Sequence, residues 1–346
     1  MLQTLESNIL LEEPLIAPSE LHSSMPLTMR QREVIQNGRS QLIDIIEGRD
    51  KRFVLVVGPC SVHDPFSIKE YGERLLKLQE KVEKHFFIIM RIYLEKPRTL
   101  FGWKGYLLDP LLEGKSNPSL GIKMGRHLLQ ELTDKGIFIA TEFLSPLAAP
   151  YLSDLITWGS IGARTSASPI HRQLASSLPM PIGFKNSVEG DLETAMNGIQ
   201  VAKEPQSFLN LGNSGSLSLI HTTGNCHSHL VLRGGTKTGP NYTKKTIDQA
   251  YQILKNKNLI PKIMIDCSHE NSQKNPNNQP LVFKQVLSNF LEKDSPVFGV
   301  MLESYLVGGK QPLKTNHPLT YGQSITDPCI SWDETNDLIL KATCAF

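Results

Sequence analysis

FVLVVGPC (53–60) opens the series of segments that decides the fold, and seven more follow it: FFIIMR (86–91), IFIATE (137–142), IGAR (161–164), PIGFK (181–185), HLVLR (229–233), KIMIDCSH (262–269) and VFGVMLE (297–303). Each is a short apolar run. Each ends on a residue able to bind an anion or a metal, or to hold a group that does: Cys60, Arg91, Glu142, Arg164, Lys185, Arg233, His269 and Glu303. Strands with unrelated roles would scatter their polar residues. A (β/α)₈ barrel gathers them, because its active site is built from the C-terminal ends of its strands. The expected fold class is therefore α/β, a (β/α)₈ TIM barrel.

The segments between these runs support parallel strands. SIKEYGERLLKLQEKVEK (67–84) sets Leu75, Leu76 and Leu78 toward one side with charges opposite. Helical spacing continues at 120–136, 147–159, 171–178, 190–203, 243–258 and 280–293, with a last helix from Trp332 to about Ala342. Strand–helix alternation of this kind is the signature of a parallel sheet. SFLNLGNSGSLSLIHTTGN (207–225) breaks the rhythm, with two β-like runs around a Gly/Asn/Ser turn, and reads as a hairpin inserted before the sixth barrel strand. Residues 1–48 read as an arm and a helix ending at Gly48, and 49–346 as the barrel.

Bulk properties exclude several classes. The chain has 346 residues, 40% hydrophobic and 20% charged, with net charge +2, so it does not present a nucleic-acid or membrane surface. No run approaches the roughly 18 apolar residues of a membrane span. Five cysteines, an odd number without a CxxC pair, argue against a disulfide framework and for a reducing cytoplasm. The N-terminus carries Glu6, Glu12 and Glu13 rather than a basic region before an apolar stretch, so no signal peptide is expected.

Two sets of residues could carry chemistry. Cys60, His269, Glu303 and Asp327 combine thiolate, imidazole and carboxylate, which suits a borderline divalent ion such as Mn²⁺, Fe²⁺ or Zn²⁺. Singly, each has an ordinary structural explanation; the set gains weight because three members end strands. Arg91, Arg164, Lys185 and Arg233, with Lys96 and Arg98 in the loop after the second strand, are costly to assemble unless an anion neutralises them. Arginine forks suit phosphate and carboxylate. Gly234-Gly235 could turn main-chain N–H groups to such an anion. Cys226-His227-Ser228-His229 resembles a metal cluster, but without a second ligand pair the signal is weak. Cys267, two residues before His269, is expected to fill the barrel interior.

GPCSVHDP (58–65), EKPRT (95–99), GWKG (102–105), IGART (161–165), GFKN (183–186), LRGG (232–235), IDCSH (265–269) and SITDPCISWD (324–333) together resemble one family. It is the type I, microbial-type 3-deoxy-D-arabino-heptulosonate-7-phosphate (DAHP) synthase, and the likeness runs from about residue 27 to the C-terminus. The resemblance implies condensation of phosphoenolpyruvate with erythrose 4-phosphate, releasing phosphate, as the first step of the shikimate pathway. It implies one divalent metal ion on Cys60, His269, Glu303 and Asp327. Arg91, Arg164, Lys185 and Arg233, with Ala163 and Glu142, match the phosphoenolpyruvate site. Lys96, Pro97, Arg98 and Thr99 match the erythrose 4-phosphate site, with Lys96 close to both substrates. Catalytic roles fall to Lys96, Glu142, Lys185 and His269, and the attacking water is activated either at the metal or by Glu142 and Lys185. The arm and first helix resemble pieces that join subunits, in a homodimer or homotetramer.

Departures from the family pattern are local. GNCHSHLVLRGG replaces the usual GNGDCHIILRGG, and Cys267 stands where a bulkier apolar residue is common. Ser145-Pro146, Ala149-Pro150, Pro179 and the hairpin LGNSGSLSL differ where the family binds a feedback inhibitor, which implies weak or altered inhibition by Phe or Tyr. The rival enzyme reading is an octulosonate 8-phosphate synthase, which lacks the PRT after Lys96. A non-catalytic barrel that senses a metabolite is the alternative from another class.

Overall fold

The computed structural model describes residues 8–98, 101–313 and 318–346. The strands are β1 Phe53–Gly58, β2 Phe86–Arg91, β3 Ile139–Glu142, β4 Trp158–Ile161, β5 Ile182–Lys185, β6 Ser207–Leu211, β7 Leu217–His221, β8 His229–Leu232, β9 Ile263–Asp266, β10 Val297–Glu303, β11 Val307–Lys310 and β12 Gln323–Ser324. The helices are α1 Pro18–Ser24, α2 Met29–Glu47, α3 Pro65–Val82, α4 Pro118–Asp134, α5 Ala149–Leu152, α6 Pro169–Ser177, α7 Glu193–Lys203, α8 Lys244–Asn256, α9 Gln279–Leu291 and α10 Trp332–Ala342. A closed parallel barrel runs in the order β1-β10-β9-β8-β5-β4-β3-β2. The ring seals where the first strand meets the last, with Val54 opposite Gly299 and Gly58 opposite Glu303. This is the (β/α)₈ TIM barrel expected from the strand-end pattern. The hairpin β6–β7 is antiparallel and lies outside the ring.

Side-chain alternation explains why the strands read as unbroken apolar runs. Phe53, Leu55 and Val57 face the surrounding helices, whereas Val54 and Val56 face the interior with Phe87, Ile89, Ala140, Trp158, Val231, Met264 and Met301. Both faces of the eight ring strands are therefore almost wholly buried, the condition of parallel sheets. Leu42, Ile45 and Ile46, on the last turns of α2, join the interior group and close the base of the barrel. Each such side chain stabilises the fold by about 1.5–3 kcal/mol through burial. A capping box at Thr28 and Gln31 starts α2, and Gly48, left-handed at φ +82°, stops it before the turn into β1.

Two local expectations need correction. Residues 147–159 form only the single turn of α5 and a 3₁₀ turn at Ser153–Leu155, because Trp158 and Gly159 belong to β4. Gly159 reads like a helix terminator but is a packing residue: a Cβ there would lie 2.6 Å from Ile182 Cδ1 and 2.7 Å from Phe143 Cε2. Cys267 packs with the outward-facing Ile263 and Ile265, between barrel and helices, rather than inside. The loop after β10, which shows no strand pattern, contains the short parallel pair β11–β12.

Candidate active site at the barrel mouth

Close approach of the strands shapes the mouth. A Cβ on Gly58 would lie 2.6 Å from the Arg91 carbonyl, so only glycine lets β1 and β2 converge before the chain turns through Pro59 to Cys60. At β2's end the Arg91 guanidinium is pinned. Nε donates to the Pro59 carbonyl (3.0 Å) and Nη2 to Glu303 Oε1 (2.9 Å). The group lies 3.7 Å above the Tyr93 ring. Its Nη1 is buried without a partner among the described residues. Burial alone would lower the Arg91 pKa, but Tyr93 and Glu303 raise it. A fixed cation with an orphaned donor calls for an anionic acceptor.

Around it opens a cavity of about 610 Å³, lined by eight cationic side chains and only four carboxylates. Arg91, Lys96, Pro97, Arg98, Glu142, Ala163, Arg164, Lys185, Arg233, His269, Glu303 and Asp327 all line it. Thus the described site residues named from sequence share one cavity, apart from Cys60, which lies beneath it; Thr99 lies outside the described residues. Glu142 leans over Gly162, where a Cβ would be 2.3 Å from its Oε1. Gly234 and Gly235 do not offer their N–H groups to the cavity. They donate to Asn241 Oδ1 (2.7 Å) and the Gly239 carbonyl (2.9 Å).

Under the Lys96–Arg98 side of the cavity sits a compact donor set. Ligand atoms of Cys60, Glu303 and Asp327 lie within 4.8 Å of one another. Lys96 Nζ rests against them, 2.6 Å from Cys60 Sγ and 3.0 Å from Asp327 Oδ2. Burial, then Glu303, pushes the Cys60 thiol up to about 12. Burial would lower Lys96, but Cys60 and Asp327 hold it protonated above its usual value. Burial would raise Asp327, yet Lys96 drives it well below the carboxylate range. One thiol and two carboxylates at this spacing demand positive charge, so the donor set fits a borderline divalent ion.

His269 lines the same cavity but stands outside this tight cluster. Its Nδ1 lies 3.0 Å from Asp266 Oδ2 and 2.8 Å from Ser268 Oγ, while Ser268 Oγ donates to Asp266 Oδ1 (2.6 Å). A carboxylate only accepts, so Nδ1 carries a proton, and in the neutral ring Nε2 is the nitrogen free to act as a ligand. Carboxylate support behind an imidazole is how metal-ligating histidines are oriented.

Asp266 is one residue that sequence reasoning missed. It is fully buried below the cavity and accepts from Lys185 Nζ at 2.9 Å. Burial would raise its pKa, but Lys185 and His269 force it well down. The available signal was its place inside IDCSH: a charge within an apolar strand must be paired. Gln279 was also missed. Its side chain clamps the Glu303 backbone through both amide atoms (2.8 and 3.0 Å).

Comparison with known proteins fits this geometry. The model of the DAHP synthetase I family matches residues 25–340. The chain belongs to the DAHP synthetase I family. It is 43% identical over 345 residues to a putative phospho-2-dehydro-3-deoxyheptonate aldolase of Schizosaccharomyces pombe, covering 99% of this chain and 94% of that one. It is 40% identical over 329 residues to the Tyr-sensitive phospho-2-dehydro-3-deoxyheptonate aldolase of Escherichia coli K12, covering 95% and 92%. The solved phospho-2-dehydro-3-deoxyheptonate aldolase of Francisella tularensis SCHU S4 superposes with a TM-score of 0.94 at 42% identity, over 97% of this chain and 99% of that one. Like these family members, the chain is an enzyme. Among the described residues no helix is long and apolar enough to cross a membrane.

Proposed function

We propose that this chain condenses phosphoenolpyruvate with erythrose 4-phosphate to give DAHP and phosphate, in a metal-dependent reaction. The observation that carries this reading is the meeting, at one cavity, of the orphaned Arg91 Nη1 and an excess of cations with the donor set of Glu303 and Asp327 on its wall and Cys60 just beneath. Arg91, Lys185, Arg233 and Arg164 hold the carboxylate and phosphate of the enol phosphate. Pro97 and Arg98, with Thr99, receive the aldose phosphate. Cys60, Glu303 and Asp327, joined by His269, would hold a divalent ion such as Mn²⁺ or Fe²⁺, which when bound supplies Lewis-acid polarisation of a carbonyl.

The residues then divide the proton work. C3 of phosphoenolpyruvate attacks the aldehyde carbon, and the new C–C bond leaves negative charge on the aldehyde oxygen. Lys96, held as an ammonium beside Cys60 and Asp327, is placed to give that oxygen its proton. Water adds to C2, with Glu142 taking its proton and Lys185 fixing the phosphate side. The C2–O bond to the phosphate then breaks as the new C2 hydroxyl gives up its proton, leaving the ketone, and the departing phosphate carries that proton away. Most of the acceleration comes from holding two anionic substrates in contact against fixed positive charge.

The test is a coupled assay of phosphoenolpyruvate loss with erythrose 4-phosphate, repeated after EDTA and after adding Mn²⁺, Fe²⁺ or Zn²⁺. Turnover should require the four-carbon acceptor, vanish with chelation and return with an ion. Turnover only with arabinose 5-phosphate would favour the octulosonate reading; no turnover despite bound metal would favour the sensor reading. Within the same proposal, residues 1–48 join copies into a homodimer or homotetramer, which sedimentation would measure. Feedback is weakened or altered at Ser145-Pro146, Ala149-Pro150, Pro179 and the hairpin LGNSGSLSL, so millimolar Phe, Tyr or Trp should inhibit little; strong inhibition by any of them defeats this.

A further inference from the structure

At the opposite end of the barrel from the cavity, the turn before β8 sets three reactive side chains in line. Cys226 is an exposed free thiol whose Sγ lies 3.6 Å from His227 Nδ1. His227 Nε2 lies 3.0 Å from Glu47 Oε1, at the end of α2. Glu47's other carboxylate oxygen pairs with Arg49. A carboxylate can only accept, so Nε2 bears the imidazole proton and Nδ1 faces the thiol with a lone pair. Burial, then Arg49, holds the imidazole below its usual pKa, which keeps that lone pair free near neutral pH.

The turn is also rigid. Asn225 Oδ1 accepts from the His227 backbone N–H (3.1 Å), and Asn225 Nδ2 donates to the carbonyls of Ala175, Leu178 and Met180 (3.2, 3.2 and 2.9 Å). On the other side, the buried His229 donates from Nδ1 to the His227 carbonyl (3.0 Å). His227 therefore holds its orientation without a ligand. A nucleophile, a base within reach and a carboxylate orienting that base form the pattern of an activated thiol.

We propose that Cys226 is a nucleophilic thiol and a modification site, which reacts with small disulfides or alkylating electrophiles through base assistance from His227 held by Glu47. With a low-molecular-weight disulfide such as oxidised glutathione, the Cys226 proton passes to His227 Nδ1 and Sγ attacks one sulfur. A new S–S bond forms, the old one breaks, and the leaving thiolate takes up the proton; Cys226 is oxidised and one half of the disulfide reduced. The adduct occupies the space beside His227 and loosens its bond to Glu47, which ties β8's approach to the helix closing the base.

The experiment uses the full chain loaded with its divalent ion and the other exposed cysteine, Cys344, as an internal reference. Iodoacetamide labelling, resolved by peptide mass spectrometry, should modify Cys226 roughly tenfold faster than Cys344. His227→Ala should bring the two rates together, and Glu47→Ala should close most of the gap. Glutathione disulfide should add one glutathionyl group, and Cys226→Ser should abolish it while leaving turnover unchanged. Retained turnover serves as the folding control, and if His227→Ala fails to fold, Glu47→Ala carries the test. Equal labelling of Cys226 and Cys344 in the unaltered chain overturns the proposal. So does an undiminished rate ratio in the folded variants.

Discussion

The two ends of this barrel use the same eight strands for opposite purposes. At the base, the interior positions are Val54, Phe87, Trp158 and Met264, sealed by Leu42, Ile45 and Ile46. Toward the C-terminal ends of the strands, inward-facing positions hold Arg91, Lys185, Asp266 and Glu303 instead, all buried. Apolar packing at the base stabilises. Charge at the mouth carries a desolvation cost, offset only because Arg91 meets Glu303 and Lys185 meets Asp266. The difference teaches where the chain places its stability and where it places its chemistry.

Mutation at each end should separate the two. Cys60→Ala ought to lower turnover by roughly 10³-fold or more, at a stability cost of only about 1 kcal/mol. Turnover within tenfold of normal would remove Cys60 from the donor set. Lys185→Met should blur the division, since it strands the Asp266 carboxylate in the interior: a loss of about 3–5 kcal/mol in urea unfolding together with activity. An unchanged unfolding midpoint would mean that Asp266 does not depend on that ion pair. Ile45→Ala, in the plug, should cost about 2–5 kcal/mol by cavity formation, while the folded enzyme keeps its turnover number. A large fall in turnover there would show that the ends are coupled.

The smallest effect concerns a buried polar pair inside the base. Trp158 Nε1 donates to His229 Nε2 (3.1 Å), and burial lowers the His229 pKa to about 4. The unfolded chain binds a proton near pH 6.5 and the folded one does not. This contribution is therefore complete above pH 6.5 and declines as pH falls toward 4. Between pH 6.5 and 5 the loss is about 2 kcal/mol. Melting curves of the unaltered chain and of His229→Leu at both pH values test this. The variant should lose less on acidification, and parallel losses would contradict the assignment.

How much of this was legible follows the same division. The strand ends could be read because alternation is strict and a polar residue closing an apolar run stands out, as with Arg91 and Glu303. Asp266 could not be read as easily, since it sits within KIMIDCSH and its role depends on Lys185, 81 residues away. Cys267 was placed inside because strand parity was extended to His269. The chain leaves the strand after Asp266, and His269 itself takes a left-handed backbone at φ +54°. Trp158-Gly159 read as the tail of a helix because glycine signals both a helix stop and a close strand crossing. Gln279 acts through its amide on another residue's backbone, a relation that leaves no trace in local pattern.

The seam between β1 and β10 has a consequence for biosynthesis. Val54 and Gly299 are register partners on adjacent strands, separated by almost the whole coding length of the ring. On the ribosome, the growing polypeptide must carry an open curved sheet, with two raw edges, until its eighth staves have emerged. Joining such distant partners is entropically slow, and unpaired edges invite association with other chains. The late-emerging segment 297–303 is thus the keystone, and a nascent chain halted before it remains an unsealed sheet.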